Sequence, residues 1–259
     1  MERPLAPPAV SPEVYTEDYY RHHCGPHEDW SDREGAELSL YYRGVIAYRV
    51  GLRHGERLVD LGAGRGELLA AALHAGAASA VGVEYSAAAI ALAEQTLRAQ
   101  GVADRARILH GDVRATGLPA GEADVVTLLD VVEHLAPAEL DDALREARRL
   151  LAPGGRLVVH TLPNRLIYDV TYRVQRLAHP RWPRNPRHEL ELQMHINEQT
   201  RGSLRRAVAR AGFADVRVDY GEWDLDHLDP AAGRLWRRLA RHRLTRPLGA
   251  CDLWAFGRA

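Results

Sequence analysis

The feature that most constrains this chain is a glycine-rich turn, Asp60-Leu61-Gly62-Ala63-Gly64-Arg65-Gly66, between a short apolar segment and a leucine- and alanine-rich segment. The apolar segment, residues 57–61, predicts a buried strand, and residues 66–75 predict a helix. Glycines at such a turn let the backbone bend sharply and approach a ligand closely, because no Cβ intervenes. Since open α/β sheets bind ligands beyond the carboxyl ends of their strands, the turn predicts a ligand site.

The rest of the chain continues the alternation of strand and helix that this turn begins. Further strands are predicted at residues 80–84, 106–110, 124–129, 156–161, 216–220 and 252–256, and helices from Ser86 to Gly101, from Pro137 to Leu151 and over residues 200–211. Strands that alternate with helices favour a parallel sheet with both faces covered. The fold class predicted is therefore α/β, with a doubly wound, mostly parallel sheet.

Composition excludes several classes of function. The 259 residues are 46% hydrophobic and 27% charged, as in an ordinary globular protein. A formal net charge of −1 provides no field that would attract nucleic acid or an anionic membrane, so neither partner is expected. No apolar run approaches the roughly 18 residues of a membrane helix. With only Cys24 and Cys251, a reducing cytoplasm is the expected location.

Acidic residues stand at the ends of four successive predicted strands: Asp60, Glu84, Asp112 and Asp130. A pocket lined by these carboxylates would be anionic and would suit a sulfonium cation better than a pyrophosphate. The glycine spacing, Gly-x-Gly-x-Gly, also differs from the Gly-x-Gly-x-x-Gly of dinucleotide sites. A dinucleotide-dependent oxidoreductase is therefore disfavoured.

The order and spacing of these motifs resemble the class I S-adenosylmethionine-dependent methyltransferases, particularly small-molecule enzymes similar to the ubiquinone-pathway methyltransferases. The segments that carry the resemblance are residues 58–66, 83–86, 111–113, 130–135 and 151–155. It covers roughly residues 57–161 and, more loosely, residues 200–258. The resemblance implies a seven-stranded sheet with an antiparallel last strand, S-adenosylmethionine as cofactor and a small-molecule acceptor.

The resemblance also implies a cofactor site at the strand ends, covered by a lid segment whose tyrosines are Tyr15, Tyr19 and Tyr20. The predicted cofactor-binding residues are Tyr20, Asp60, Gly62, Ala63, Gly64, Gly66, Glu84, Tyr85, Asp112, Val113, Asp130 and Val131. In this interpretation Glu84 would hold the ribose, Asp112 would accept the adenine amine, and Asp130 would line the sulfonium side.

Methyl transfer proceeds by in-line displacement, and an oxygen or nitrogen acceptor often needs a general base. His134 and His195 are the predicted catalytic residues, since histidine titrates near neutral pH. We assign no metal ligand from the sequence. However, some metal-dependent relatives, including small-RNA 2′-O-methyltransferases, hold a divalent ion with carboxylates and histidines. The residues that resemble these ligands here are Asp130, Glu133, His134 and His195. A metal-dependent O-methyltransferase is therefore an alternative interpretation.

The predicted organisation is an amino-terminal arm with lid helices over residues 1–54 and a cofactor-binding Rossmann-like domain over residues 55–259. Insertions are expected at about residues 162–197, beside the acceptor, and 230–243, a basic helix. The sequence does not identify the acceptor, and a homodimer is one option for the assembly. Two further alternatives remain: another use of the sulfonium, such as cyclisation or transfer of a different group, and a non-catalytic partner subunit.

Overall fold

A computed structural model describes residues 5–25, 27–221, 238 and 241–259 of the chain. Within them, seven strands form one sheet in the order β3-β2-β1-β4-β5-β7-β6. The strands are β1 (Arg57–Leu61), β2 (Ser79–Glu84), β3 (Ala106–His110), β4 (Ala123–Leu129), β5 (Leu151–Thr161), β6 (Ala214–Tyr220) and β7 (Leu253–Arg258). Only β7 runs antiparallel to its neighbours, β5 and β6. The predicted fold class, including the antiparallel last strand, is confirmed.

Helices precede the sheet, cover both of its faces and interrupt the long connection after β5. They are α1 (Glu17–His22), α2 (His27–Ser31), α3 (Leu40–Gly44), α4 (Glu67–His74), α5 (Ala87–Ala99), α6 (Pro137–Leu150), α7 (Arg173–Ala178), α8 (Glu189–Met194), α9 (Arg201–Arg210) and α10 (Arg246–Gly249). Two π-helical segments, Val45–Val50 and Ile167–Tyr172, lie before β1 and within the connection after β5. None of the described helices is long and apolar enough to cross a membrane.

The sheet is buried on both faces, which explains why its strands are apolar almost throughout. On one face α6 and α9 pack through Leu144 and Leu204, both fully buried. On the other face α4 and the first π-helix pack through Leu69 and Ile46. α6 begins at Pro137, a residue preorganised for the first helical position, and its leucines recur at helical spacing.

Three segments differ from the sequence prediction or lie outside it. β5 starts at Leu151, ahead of the strand predicted at residues 156–161, because Leu151 already pairs with Ala123 and the Pro-Gly-Gly stretch forms an irregularity inside the strand. The connection at residues 162–197, predicted to have little regular structure, contains the second π-helix, α7 and α8. The predicted helix at 230–243 lies mostly outside the described residues.

The amino-terminal arm is fixed to the sheet domain by buried polar contacts. The buried Arg65 donates to the backbone carbonyl of Tyr20 and pairs with Glu67 at 2.8 Å. The carbon of its guanidinium also lies 5.5 Å from the ring centroid of Trp30. These contacts place the tyrosines of α1 over the carboxyl ends of the strands.

Candidate active site

A cavity of about 1160 Å³ opens at the carboxyl ends of β1, β2 and β4, beneath the amino-terminal arm. Every predicted site residue except Gly66 lines it. Gly66 instead sits where a Cβ would lie 3.1 Å from that of Ala93, so its role is the close packing of α4 against α5. The topology therefore brings the strand-end acids, the glycine turn and both predicted catalytic histidines into one space.

The glycine turn is shaped for close approach. Gly62 has a φ of +85°, and a Cβ there would stand 2.4 Å from a methyl carbon of Val131. The backbone N–H of Gly64 donates to Oε2 of Glu84 at 3.0 Å, which ties the turn to the end of β2. A side chain at Gly62 would thus collide with Val131 and force a strained backbone.

Two of the strand-end acids are deeply buried. Glu84 accepts three backbone N–H groups, from Gly64, Tyr85 and Ser86. Burial raises its pKa, and these amides act in the opposite direction. Burial raises the pKa of Asp60 to about 7, although the Thr127 hydroxyl donates to its carboxylate at 2.6 Å. Both side chains are placed to accept hydrogen bonds from a ligand in the cavity.

The third acid, Asp112, already has a strong partner in the structure. Arg114 donates to both of its carboxylate oxygens and also pairs with Glu139 at 2.9 Å. The same arginine donates to the backbone carbonyl of Ala6 in the arm. Asp112 faces the cavity, but its carboxylate already accepts hydrogen bonds from Arg114. An adenine amine that binds Asp112 would have to share the carboxylate with this arginine.

The fourth acid, Asp130, adopts a φ of +57° at the end of β4, which is uncommon for a residue other than glycine. Nδ1 of His160 lies 2.6 Å from its Oδ1, and Nε2 of His160 lies 3.2 Å from Asp252. Burial opposes charge on this imidazole, but the two carboxylates raise the pKa of His160 to about 10. Burial likewise opposes ionisation of Asp130, yet His160 lowers its pKa.

The two predicted catalytic histidines lie together. The ring centroids of His134 and His195 are 5.0 Å apart, and Nδ1 of each is buried with no hydrogen-bond partner among the described residues. Burial and the neighbouring His195 lower the pKa of His134 to about 3, and burial also lowers that of His195. Both rings are therefore neutral at physiological pH.

Glu133 completes a potential metal-binding group with these rings. One ligand atom from each of Glu133, His134 and His195 falls within 4.8 Å of the others. Burial and the nearby Asp130 raise the pKa of Glu133 to about 8, and Thr161 donates to its carboxylate at 2.6 Å. Neutral imidazole and carboxylate are suitable donors for a divalent ion, and the unpartnered Nδ1 atoms fit that use. Asp130, also considered from the sequence, is held by His160 and is outside this group.

Tyr15 connects the arm to Tyr85, after β2, and to His134, after β4. Its ring centroid lies 5.4 Å from that of Tyr85 and 5.7 Å from the ring of His134. Its backbone carbonyl accepts from the hydroxyl of Ser86 at 2.8 Å. Tyr19 and Tyr20 line the cavity beside it. The aromatic residues of the arm thus form a cover over the strand ends.

Sequence reasoning missed His160, Asp252 and Trp254, which form one hydrogen-bonded wall of the cavity. Nε1 of Trp254 donates to the same Asp252 oxygen that contacts His160, at 3.0 Å. A histidine near the end of a predicted strand was the one available signal for this wall. Arg49, on the first π-helix, was also missed, because nothing in its local sequence sets it apart.

Comparison with known proteins agrees with this geometry. A family model described as a methyltransferase domain matches residues 36–218. The demethylmenaquinone methyltransferase of Thermus thermophilus is 36% identical over 109 residues, which are 42% of this chain and 48% of that protein. The ubiquinone biosynthesis O-methyltransferase of Pseudomonas aeruginosa is 34% identical over 139 residues, 51% of this chain and 57% of that protein. The matches span about half the length of these curated relatives.

Solved structures share the fold. The crystal structure of an S-adenosylmethionine-dependent methyltransferase from Archaeoglobus fulgidus aligns with a TM-score of 0.58 at 17% identity. That alignment covers 91% of this chain and all of the other. The family match spans more than half of this sequence and includes the glycine turn, the strand-end acids and the histidine pair. The chain belongs to the methyltransferase-domain family.

Proposed function

We propose that this protein transfers the methyl group of S-adenosylmethionine to a small-molecule acceptor held beside His134 and His195. The observation that carries the proposal is the meeting of the glycine turn and the four strand-end acids in one cavity, next to the histidine pair. S-adenosylmethionine, when bound, supplies an electrophilic methyl group on a cationic sulfur. The surplus of carboxylates over unpaired cations in this half of the cavity favours such a ligand.

The residues of the chain then have separate tasks. Glu84 would accept hydrogen bonds from the ribose hydroxyls while its backbone partners hold it in place. Gly62 and Gly64 would let the backbone contact the ligand, and Val131 would limit its position on the opposite side. Alignment of two reactants in this way supplies up to roughly 7–11 kcal/mol of the barrier. Tyr15 and its neighbours in the arm would exclude water.

The acceptor side is assigned to His134 and His195. Because both rings are neutral, an unpartnered Nδ1 is available to accept a hydrogen bond or a proton from the acceptor. A pKa of about 3 makes His134 a weak general base at neutral pH, since the most effective bases titrate near the working pH. Binding and orientation of the acceptor are therefore its main contributions in the absence of a metal.

A second candidate, a divalent-metal-dependent O-methyltransferase, is favoured by the geometry of Glu133, His134 and His195. These three residues would hold the ion, and such an ion anchors an acceptor hydroxyl and lowers its pKa. The same low imidazole pKa that weakens His134 as a base suits it as a ligand, because metals bind the neutral ring.

The proposal is tested by calorimetry with S-adenosylhomocysteine and by product analysis with methyl-labelled cofactor. Binding of S-adenosylhomocysteine that is weakened about tenfold or more in Glu84→Gln, and unchanged in the exposed control Glu94→Gln, supports the cofactor assignment. Tight binding of a nicotinamide dinucleotide without any heat from S-adenosylhomocysteine would overturn it. Release of methylthioadenosine would instead indicate another use of the sulfonium.

The relatives differ in the atom that they methylate, so the acceptor atom is left open among oxygen, nitrogen and carbon. The homodimer and the cytoplasmic location considered from the sequence also stay predictions. Sedimentation of the purified protein tests the first of these, and a non-catalytic partner subunit would bind S-adenosylhomocysteine without turning over any acceptor.

A further inference from the structure

The cavity has a second part that the cofactor proposal does not use. We call it the acceptor chamber and define it by Leu40, Tyr41, Tyr48, Arg49 and Trp254, all of which line the cavity. Leu40 and Tyr48 are 79% and 88% exposed, which places them at the mouth. The chamber is thus walled by aromatic and aliphatic surface with one cation.

Arg49 is set apart from the other arginines of the cavity by its lack of a partner. Arg65 pairs with Glu67 at 2.8 Å, and Arg114 pairs with Asp112 at 2.6 Å. The guanidinium of Arg49 makes no ion pair or hydrogen bond with any residue that the structure describes. Its one contact of note is with the ring of Trp254, whose centroid is 5.0 Å from the guanidinium carbon.

The backbone position of Arg49 and its contact with Trp254 orient the side chain without hydrogen bonds from its guanidinium N–H groups to the described residues. It belongs to the π-helical segment Val45–Val50, a rare geometry that often marks functional sites. Trp254, beneath it, is buried and held by its hydrogen bond to Asp252. A guanidinium that lies over an aromatic ring keeps its N–H edge available, and that edge matches a carboxylate or phosphate in a two-point hydrogen bond.

The chamber also adjoins the reaction centre. Trp254 of the chamber contacts His160, with ring centroids 4.3 Å apart. His160 in turn lies 2.6 Å from Asp130, so the chamber reaches the end of β4 through this contact. A ligand that spans the chamber would have one end beside Asp130 and the other beside Arg49.

We propose that Arg49 binds an anionic group, a carboxylate or a phosphate, on an acceptor whose aromatic body packs against Tyr41, Tyr48 and Trp254. This inference rests on the proposed function, because it assigns the chamber to the methyl acceptor. Arg49, which has no charge partner among the described residues, would attract that anion, and the strand-end carboxylates would repel it from the cofactor side. The acceptor therefore enters in one orientation.

The experiment uses the full chain saturated with S-adenosylhomocysteine and matched aromatic probes in calorimetry. The pairs are benzoate with benzamide, cinnamate with cinnamamide, and phenyl phosphate with phenol. We expect at least one anionic member to bind about tenfold or more tighter than its neutral partner. Preference for phenyl phosphate or for the carboxylates distinguishes the two sources of the anion.

The variants separate recognition from structural support. In Arg49→Gln the preference for the anion should disappear, in Arg49→Lys part of it should remain, and the exposed Arg43→Gln on α3 should retain all of it. Absence of an anion preference in the wild-type chain, or its survival in Arg49→Gln, overturns the inference. Equal weakening of both members of a pair in Arg49→Gln also overturns it, because that result means Arg49 only supports Trp254.

The saturating step keeps this test independent of the cofactor assignment. Heat from S-adenosylhomocysteine is measured first, and its absence counts against the proposed function. If S-adenosylhomocysteine gives heat but the chain then binds acid and amide equally, the result counts only against the role of Arg49.

Discussion

Asp130 and His160 join the carboxyl ends of two adjacent strands through both backbone and side chain. The backbone N–H of Asp130 donates to the carbonyl of His160 at 3.1 Å, while Oδ1 of Asp130 lies 2.6 Å from Nδ1 of the same histidine. A charged imidazole between Asp130 and Asp252 offsets part of the negative charge of this wall. The electrostatics of the wall therefore depend on the protonation of one buried ring.

His160→Gln should destabilise the fold by about 3 kcal/mol near pH 6, because it leaves the buried Asp252 and the partly exposed Asp130 without their cation. The pKa of His160 is about 10 in the folded chain against an ordinary value of 6.5, so folding binds the proton more tightly. Its stabilising effect is fully present below pH 6.5 and is lost as the pH rises through 10. Urea unfolding at pH 6, 8 and 9.5 measures the difference.

The gap in unfolding free energy between wild type and His160→Gln should therefore narrow towards pH 10. The exposed His74→Gln serves as the control and should show no such trend. A gap that stays constant or widens with pH would show that His160 is neutral in the folded chain.

Gly62→Ala should weaken binding of S-adenosylhomocysteine by about tenfold or more. The added Cβ would meet Val131 at 2.4 Å and would strain a backbone with φ of +85°. Gly117→Ala is a matched control, since its φ is +72° and nothing lies within 4 Å of its Cβ position. It should lose about 1 kcal/mol of stability and no affinity.

Calorimetry with S-adenosylhomocysteine and thermal melting of both variants separate these effects. Equal losses of affinity in the two variants would mean that backbone strain alone explains the result. The collision with Val131 at the cavity would then play no part.

Arg65→Met should destabilise the chain by about 3–5 kcal/mol, because the buried Glu67 would lose its partner. In the double variant Arg65→Met, Glu67→Met the loss should be smaller than in the single variant, since no buried charge remains. Denaturant unfolding of both single variants and the double variant measures the coupling. Additive losses would contradict a direct interaction between the two side chains.

The metal candidate predicts that the chain retains about one Co²⁺ per molecule after equilibrium dialysis, as for a site with three protein ligands. His195→Ala should abolish the retained ion, and His22→Ala, at an exposed position of α1, should not. Elemental analysis of the dialysed protein measures the content. A wild-type chain that retains no ion removes the metal-dependent alternative and leaves the histidine pair to bind the acceptor directly.

The sheet and the cofactor side of the site follow closely from the sequence because their signals are local. Each strand is a short apolar run, and each acid stands at the end of one, so parallel pairing alone brings Glu84 and Asp130 together. Gly66 differs because a glycine in a turn can serve ligand approach or helix packing, and its close approach to Ala93 on a later helix is visible only in the structure.

The acceptor side depends on contacts between distant segments, so most of it could not be predicted from the sequence. His160 acquires its role from Asp130, 30 residues earlier, and from Asp252, 92 residues later. Arg49 is distinguished by having no ion-pair partner in the described part of the chain, which no sequence pattern displays. The π-helix that carries it depends on packing against the sheet rather than on residue propensity.

The contact between Gly66 and Ala93 bears on attempts to redesign the cofactor site. With α4 pressed against the backbone of α5, the turn cannot retreat to admit a bulkier sulfonium substituent. Room for synthetic cofactors bearing larger alkyl groups has to come from the acceptor side, where Tyr15 covers the cavity beside His134. Libraries that vary Tyr15 should therefore yield broader alkyl donors than libraries that vary the glycines.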